Sequence, residues 1–168
     1  MSDADGTPRW YAVRTRSRHE KLVRNRLAGL SIEHLLPTVV RLGQWKDRKK
    51  EIEVPLFSGY CFARFPWADR LAIQTVSGVV GIVGGGARPE PVPDEEIAAI
   101  RTLMASALKY DAHPYLHEGM MVEVTRGPLK GIRGFLLRKE KRHRLIISVH
   151  LIRQAAAVEI NASDVVKA

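Results

Sequence analysis

The chain has 168 residues, of which 45% are hydrophobic and 27% are charged, so it can bury a core but is too short for a large cofactor-bearing catalytic domain. Lysine and arginine together number 27 against 18 acidic residues, a formal net charge of +9. This balance favours polyanionic partners such as nucleic acid.

The start of the chain predicts a strand followed by a helix. Trp10 opens a short aromatic strand. Ser17 and Glu20 have the spacing of a capping box, and the apolar residues after them repeat at helical intervals. We therefore expect a helix over residues 18–28 with a positive outward face.

Strand and helix patterns continue to residue 108. The expected elements are, in order, an aliphatic stretch at 32–42, a hairpin with its tip at 45–50, a strand at 60–65, a short helix at 68–75, a strand at 79–83 and a helix capped by Asp94. Together they favour one sheet backed by helices.

After residue 108 the pattern changes to short strands. Residues 109–117 are polar and interrupted by proline, which predicts a linker. The short strands that follow fit a small β-barrel. The expected fold class is α+β, with an ordered domain at 9–108 after a disordered lead-in at 1–8, the linker, and an all-β barrel at 118–168.

Neither a catalytic nor a metal site is indicated. His113 and His117 stand four residues apart beside Glu118, but Pro114 disfavours a helix there and no third ligand follows at a diagnostic spacing. The single cysteine, Cys61, lies in an apolar run and excludes an internal disulfide, which favours a reducing cytoplasm. We expect no cofactor, no metal, no membrane segment and no enzymatic activity.

Basic clusters are the strongest feature of the sequence. Residues 9–26, 45–50 and 126–144 hold seven, four and eight lysines and arginines, each against one acid, which predicts phosphate contact by at least one of these segments. The aromatic turn near residues 56–60 is ambiguous, because its rings could belong to the core or face a partner.

These segments resemble, in order and spacing, the NusG family of transcription factors. Similarity to the family's N-terminal (NGN) domain, an antiparallel sheet with flanking helices, lies at residues 10–13, 16–21, 44–50, 55–60, 78–79 and 91–97. The second half is similar to the family's KOW barrel signature at Gly119, Val122, Val124, Gly127, Pro128, Gly131 and Gly134.

The resemblance implies a monomeric factor that binds the clamp helices of bacterial RNA polymerase and the upstream DNA with its non-template strand, and that suppresses pausing and termination. The implied polymerase contacts are Phe57, Ser58, Tyr60 and Phe62, with Asp69 and Arg70 on the opposite side of the cleft. The implied nucleic-acid contacts are Arg16, Arg18, Arg26, Lys46, Arg48, Lys49 and Lys50. Nascent RNA is left open as a further partner.

Two departures from the family pattern affect the expected role. Ser58 replaces the usual proline of the docking turn. The KOW partner surface reads Leu151, Ile152, Arg153 and Gln154, where general members have an aromatic residue and an arginine for ribosomal protein S10 or Rho. This favours the specialised, operon-directed, UpxY-like branch.

Two other roles stay open from the sequence. One is the housekeeping NusG role with Rho or S10. The other is an RNA-binding KOW module of ribosome or RNA metabolism, which would use Lys130, Arg133, Lys139, Lys141, Arg142 and Arg144.

Overall fold

The computed structural model describes residues 6–46, 48–84 and 90–168, apart from the side chains of Trp45 and Lys139. The helices and strands of these residues are, in chain order, β1 (Arg9–Thr15), α1 (Glu20–Gly29), β2 (Glu33–Leu35), β3 (Thr38–Trp45), β4 (Arg48–Pro55), β5 (Tyr60–Phe65), α2 (Arg70–Gln74), β6 (Val79–Ile82), α3 (Asp94–Ala105), β7 (Tyr110–His113), β8 (Met120–Val124), β9 (Arg133–Lys139), β10 (Arg142–Val149), β11 (Gln154–Ile160) and β12 (Val165–Lys167).

The chain folds into two compact units that are discontinuous in sequence. The first comprises Met1–Pro37 and Phe57–Asp94, and the second comprises Thr38–Leu56 and Glu95–Ala168. The β3–β4 hairpin and nearly all of α3 are therefore grouped with the second half of the chain. The expected boundaries at 109 and 117 stay a prediction.

A four-stranded antiparallel sheet of order β2-β5-β1-β6 forms the centre of the first unit. Residues of its two central strands, such as Tyr11 and Cys61, pack in one cluster with Val23 and Leu27 of α1. Alternate positions such as Phe62 are also buried. Both faces of the central strands are thus covered, which explains their nearly continuous apolar sequence.

The capping box expected at the start of α1 is wrong. The helix begins at Glu20, its N-cap is His19, and no side chain caps it. The Glu20 carboxylate instead accepts a hydrogen bond from the backbone N–H of Gly59. A partner from a distant loop has replaced the local one, which sequence spacing alone could not reveal.

The expected hairpin is confirmed in the second unit. Strands β3 and β4 pair from Thr38 opposite Pro55 to Trp45 opposite Arg48. Lys46, at the tip, has a φ of +51°, as the commonest tight hairpin turns require. The basic segment 45–50 therefore lies at the end of a two-stranded ribbon.

Helix α3 buries Ile97, Ile100 and Leu103 on one face and ends at Ala105. The helical spacing expected to reach Leu108 therefore stops one turn early. Ser106 closes the helix, since its hydroxyl donates a hydrogen bond to the carbonyl of Leu103.

The second half of the chain forms a six-stranded antiparallel sheet of order β12-β8-β9-β10-β11-β7. The small barrel expected from the sequence differs from this sheet in two respects. Tyr110–His113, assigned to the linker, forms edge strand β7 against β11. Among the described strands, no ladder joins β7 to β12, so the sheet is open. Such long-range pairing leaves no local signal in a short polar segment.

This sheet is apolar on both faces. Leu145, Ile147 and Val149 are buried on one face, and Ile146 packs with Phe135 on the other. Within the described residues, no helix is long and apolar enough to cross a membrane.

Candidate interaction surfaces

Three loops of the first unit meet at one end of its sheet. The Thr15 N–H donates to the Gly59 carbonyl at 2.8 Å, and the Arg16 N–H donates to the Gly78 carbonyl at 2.8 Å. The loops at residues 16–19, 57–60 and 76–78, here called the loop end, are thereby fixed to one another. The implied docking turn and two of the implied nucleic-acid contacts, Arg16 and Arg18, belong to it.

A buried carboxylate holds the loop end together. Glu20 is only 5% exposed, and its Oε2 lies 3.1 Å from the Gly59 nitrogen that donates to it. Gly59 has a φ of +84°, a conformation that side chains other than glycine rarely adopt. The turn therefore depends on one glycine and on one acid from another element.

The thiol of Cys61 lies in β5, directly after the loop end, and is buried. Burial, with a smaller contribution from the negative charge of Glu20, raises the pKa of Cys61 from 9.0 to about 12. The thiol is therefore protonated at neutral pH and packs as an apolar group.

The four implied docking residues differ in exposure. Phe57 and Phe62 are 0% exposed, Tyr60 is partly exposed and Ser58 is exposed. The two phenyl rings offer no surface to a partner in this structure, because they fill the interior around the turn. Of the four implied docking residues, only Ser58 and Tyr60 are therefore accessible to a partner in this structure.

The basic residues of the first unit are held in different ways. Arg16, Arg18 and Arg26 are exposed, and Arg26 also donates from Nη1 to the Ser77 carbonyl at 2.6 Å. Arg18 has a φ of +65°, an unfavourable conformation for a residue with a Cβ. The loop end thus combines positive charge with a constrained backbone.

The implied cleft residues lie where a short 3₁₀ turn meets α2. Asp69 is exposed. The Arg70 guanidinium lies over the Trp67 ring, 5.4 Å from its centroid, and Nη1 donates to the Trp67 carbonyl at 3.2 Å. Arg70 is thus folded back onto its own turn, while Asp69 and the 67% exposed Leu71 face solvent.

The hairpin tip is a second basic surface, and it belongs to the other compact unit. Lys46, Arg48, Lys49 and Lys50 are all exposed. Lys49 pairs with Gln44 and Lys50 pairs with Gly43, so neighbouring lysines point to opposite faces of the ribbon. Positive charge is therefore displayed on both faces of the hairpin.

Four residues of the KOW-like signature pack against or hydrogen-bond with neighbouring strands of the sheet. Val122 and Val124 are buried, and Gly131 donates its N–H to the Val124 carbonyl at 2.8 Å. A Cβ on Gly134 would lie 2.4 Å from the Ile146 carbonyl oxygen, so only glycine fits beside β10. The other signature residues, Gly119, Gly127 and Pro128, are exposed.

The implied KOW partner surface is only partly available. Ile152 is 6% exposed, Leu151 and Gln154 are partly exposed, and Arg153 is exposed. Tyr115 was not among the residues predicted for this surface, although the Arg153 guanidinium lies 5.0 Å from its ring centroid. An aromatic residue just before a predicted barrel was the only available signal.

Several arginines of the basic segment 126–144 contact acids. Arg126 pairs with Asp164 at 2.9 Å, Arg133 with Glu123 at 3.0 Å, and Arg142 with Glu159 at 3.6 Å. These carboxylates partly neutralise the surface that the RNA-module interpretation requires. The side chain of Lys139 is not among those that the structure describes.

The two histidines considered for a metal do not form a helical pair. His113 lies in β7 and its Nδ1 contacts the Pro114 carbonyl, whereas His117 lies beyond that strand. No group of three or more histidine, cysteine or acidic residues in the described part of the chain is placed to hold a metal ion.

Proteins with similar sequences are transcription factors. A family model described as "Transcription termination factor nusG" matches residues 8–101. The Escherichia coli K12 transcription termination/antitermination protein NusG is 29% identical over 184 residues, with 100% of both chains covered. The Rickettsia conorii protein of the same description is 26% identical over 179 residues, covering 99% of this chain and 93% of that one.

The fold is also similar to a solved one. A structure of Thermotoga maritima NusG matches with a TM-score of 0.56 at 24% identity, covering 95% of this chain and 97% of the other.

Proposed function

Because the chain belongs to the NusG family of transcription termination factors, we propose that it is an elongation and antitermination factor that binds RNA polymerase and upstream nucleic acid. In this proposal the first unit contains the NGN domain and docks on the polymerase clamp helices. The six-stranded sheet corresponds to the KOW domain. Members of the family are transcription factors rather than enzymes.

The observation that carries this proposal is the construction of the loop end. The hydrogen bonds through Gly59 and Gly78 bring the partly exposed Tyr60 and the exposed arginines 16 and 18 to one end of the sheet. An aromatic anchor beside fixed positive charge suits a protein helix adjacent to nucleic acid. Tyr60 would contact the clamp helix, and the arginines would contact the DNA backbone.

The hairpin supplies a separate nucleic-acid contact. Its four basic residues stand at the end of an exposed two-stranded ribbon. Such a ribbon can follow a groove or a displaced strand, with affinity coming from phosphate neutralisation. In the proposal it contacts the upstream duplex and the non-template strand.

Asp69 is the proposed contact on the opposite side of the polymerase cleft. Arg70, bound to its own turn through Trp67, would hold that turn in shape. Contacts on both sides of the cleft would hold the clamp closed and so suppress pausing.

An operon-specific role is the favoured form of this function. The turn at residues 150–153 exposes Arg153 and His150 but buries Ile152, and it contains no phenylalanine, tyrosine or tryptophan for S10 or Rho. The housekeeping role requires one of those partners to bind. Measuring S10 and Rho binding to the full chain distinguishes the two roles.

The direct test is binding of the full chain to purified bacterial core RNA polymerase. Tyr60→Ala is expected to weaken binding by about 1 to 3 kcal/mol if the ring is an anchor. Leu30→Ala is the matched control, since Leu30 is a 54% exposed apolar residue of the same unit outside the loop end. Equal affinity of both variants would remove Tyr60 from the interface, and no binding by the wild type would reject the proposed function.

A further inference from the structure

Four side chains in the second unit form an exposed cluster that the proposed function does not use. Tyr115 and His117 lie between β7 and β8, while His150 and Arg153 lie at the turn between β10 and β11. We call them the Tyr115 cluster. His117, His150 and Arg153 are exposed and Tyr115 is partly exposed.

The rings of the cluster surround Tyr115. The His117 ring is stacked on it at a centroid distance of 6.4 Å and an interplanar angle of 23°. The His150 ring meets it edge-on at 5.7 Å and 81°. The Arg153 guanidinium lies 5.0 Å from the Tyr115 centroid. Aromatic and cationic groups are thus concentrated around one ring.

Hydrogen bonds hold three residues of the cluster in place. The Tyr115 hydroxyl and His150 Nδ1 are hydrogen-bonded at 2.8 Å, and the His150 N–H donates to Glu96 Oε1 of α3 at 3.0 Å. Arg153 donates its N–H to the His150 carbonyl at 3.1 Å and has a φ of +52°. The Tyr115 and His150 rings are therefore ordered before a ligand binds, which lowers the entropic cost of association.

The position of the cluster argues against an ordinary packing role. The His117 side chain is 68% exposed, although its ring is stacked, and the neighbouring Leu116 is the residue of this segment that packs against the core around Ile146. Stacked rings left in solvent beside a guanidinium are typical of surfaces that take up unpaired nucleobases, which stack on aromatic and arginine planes.

We propose that the Tyr115 cluster binds single-stranded nucleic acid through its bases. An unpaired base stacks on the exposed His117 ring, which itself is stacked on Tyr115, and Arg153 contacts the adjoining phosphate. The site differs from the basic segment 126–144, where carboxylates contact several arginines. Binding at the Tyr115 cluster requires no polymerase. The experiment can therefore reject this site while polymerase binding holds, and polymerase binding can be rejected while this site holds.

The test uses the full chain and fluorescent oligonucleotides of equal length, with and without bases. Single-stranded RNA, single-stranded DNA and an abasic strand carry the same phosphates, so a preference for bases reports stacking rather than charge. We expect the wild type to bind one or both base-bearing strands about fivefold or more tightly than the abasic strand. The RNA and DNA arms identify the natural source of the strand.

Matched variants assign the preference to the cluster. Tyr115→Leu is expected to remove it, while Tyr115→Phe, which keeps the ring and loses only the hydroxyl contact, is expected to retain it. Arg153→Asn removes the charge but suits the left-handed backbone, and is expected to weaken binding to all strands. Thermal unfolding of each variant confirms that it is folded.

Two results would overturn the proposal. One is a wild type that binds abasic and base-bearing strands equally. The other is a base preference that survives in folded Tyr115→Leu, which would place stacking elsewhere and leave the cluster as a tether for the segment between β7 and β8.

Discussion

The carboxylate of Glu20 and the backbone amide of Gly59 are joined across 39 residues of sequence by a 3.1 Å hydrogen bond. This contact links the first turn of α1 to the turn that presents Tyr60. Glu20 is almost fully buried, so the bond is shielded from water and is stronger than a surface contact of the same length.

Replacing Glu20 should destabilise the first unit. Glu20→Ala removes the buried, charged group that accepts the hydrogen bond of the Gly59 N–H. We expect the free energy of unfolding to fall by about 1.5 to 3 kcal/mol. Glu20→Gln keeps an acceptor oxygen and should lose less. Urea unfolding measures both, and hydrogen exchange should show the Gly59 amide exchanging faster in Glu20→Ala. Unaltered exchange there would show that the bond does not form.

Gly134 should tolerate no side chain. In Gly134→Ala the new Cβ would lie 2.4 Å from the Ile146 carbonyl oxygen, and relief requires β9 and β10 to separate. We expect a loss of about 1 to 3 kcal/mol in stability. Gly29→Ala is the control, because a Cβ there meets nothing within 4 Å. Thermal unfolding compares the two, and equal melting temperatures would contradict this packing.

Cys61 should make stability fall at high pH. Burial raises its pKa from 9.0 to about 12, so above pH 9 the unfolded chain loses the thiol proton while the folded chain keeps it. The unfolded state then binds fewer protons, and the free energy of unfolding decreases as pH rises, by up to about 1.4 kcal/mol per pH unit. This contribution is fully present below pH 9 and is lost between 9 and 12.

The variant Cys61→Ala isolates this effect. Urea unfolding at pH 8 to about 11 should give a shallower decline for Cys61→Ala than for the wild type. Parallel declines would indicate that the thiol is accessible to water. The rate of Cys61 alkylation is an independent measure of thiol burial, since the folded protein should react far more slowly than the unfolded one.

Charge reversal at the hairpin should separate DNA binding from polymerase binding. Lys49→Glu/Lys50→Glu is expected to weaken binding to forked DNA, with the largest effect at low salt, and to reduce the salt-dependence slope by about 2. Affinity for core polymerase should change little. The charge-matched control is Lys109→Glu/Lys167→Glu, at two exposed lysines outside the hairpin. Equal loss in both double variants would mean that only net charge matters.

Local patterns predicted the elements that depend on local chemistry. The hairpin with its tip at residues 45–50 was expected from polar residues between two strand patterns, and the structure confirms it. The helix before residue 30 was placed within two residues of its start. The KOW-like glycines were identified by their resemblance to the family signature, and tight backbone conformations, such as the φ of +89° at Gly131, restrict which residue can occupy such positions.

Features that depend on distant partners were not predictable. The spacing of Ser17 and Glu20 was consistent with a cap, yet the acid bonds to Gly59 instead. Burial of Phe57 and strand pairing at Tyr110–His113 are decided by segments far along the chain. The hydroxyl contact of the Tyr115 cluster joins Tyr115 to His150, 35 positions away. Each of these depends on tertiary packing, which overrides local preference.

Residues in the left-handed backbone conformation affect how the stability of this protein could be engineered. Of the five non-glycine residues with positive φ in the described part, three are basic: Arg18, Lys46 and Arg153. Each makes the native state less stable by roughly 1 to 2 kcal/mol than a glycine would at the same φ. Glycine or asparagine at these turns should therefore raise the melting temperature while weakening contact with nucleic acid. A screen for thermostability alone would select against the side chains that we propose as contacts to nucleic acid.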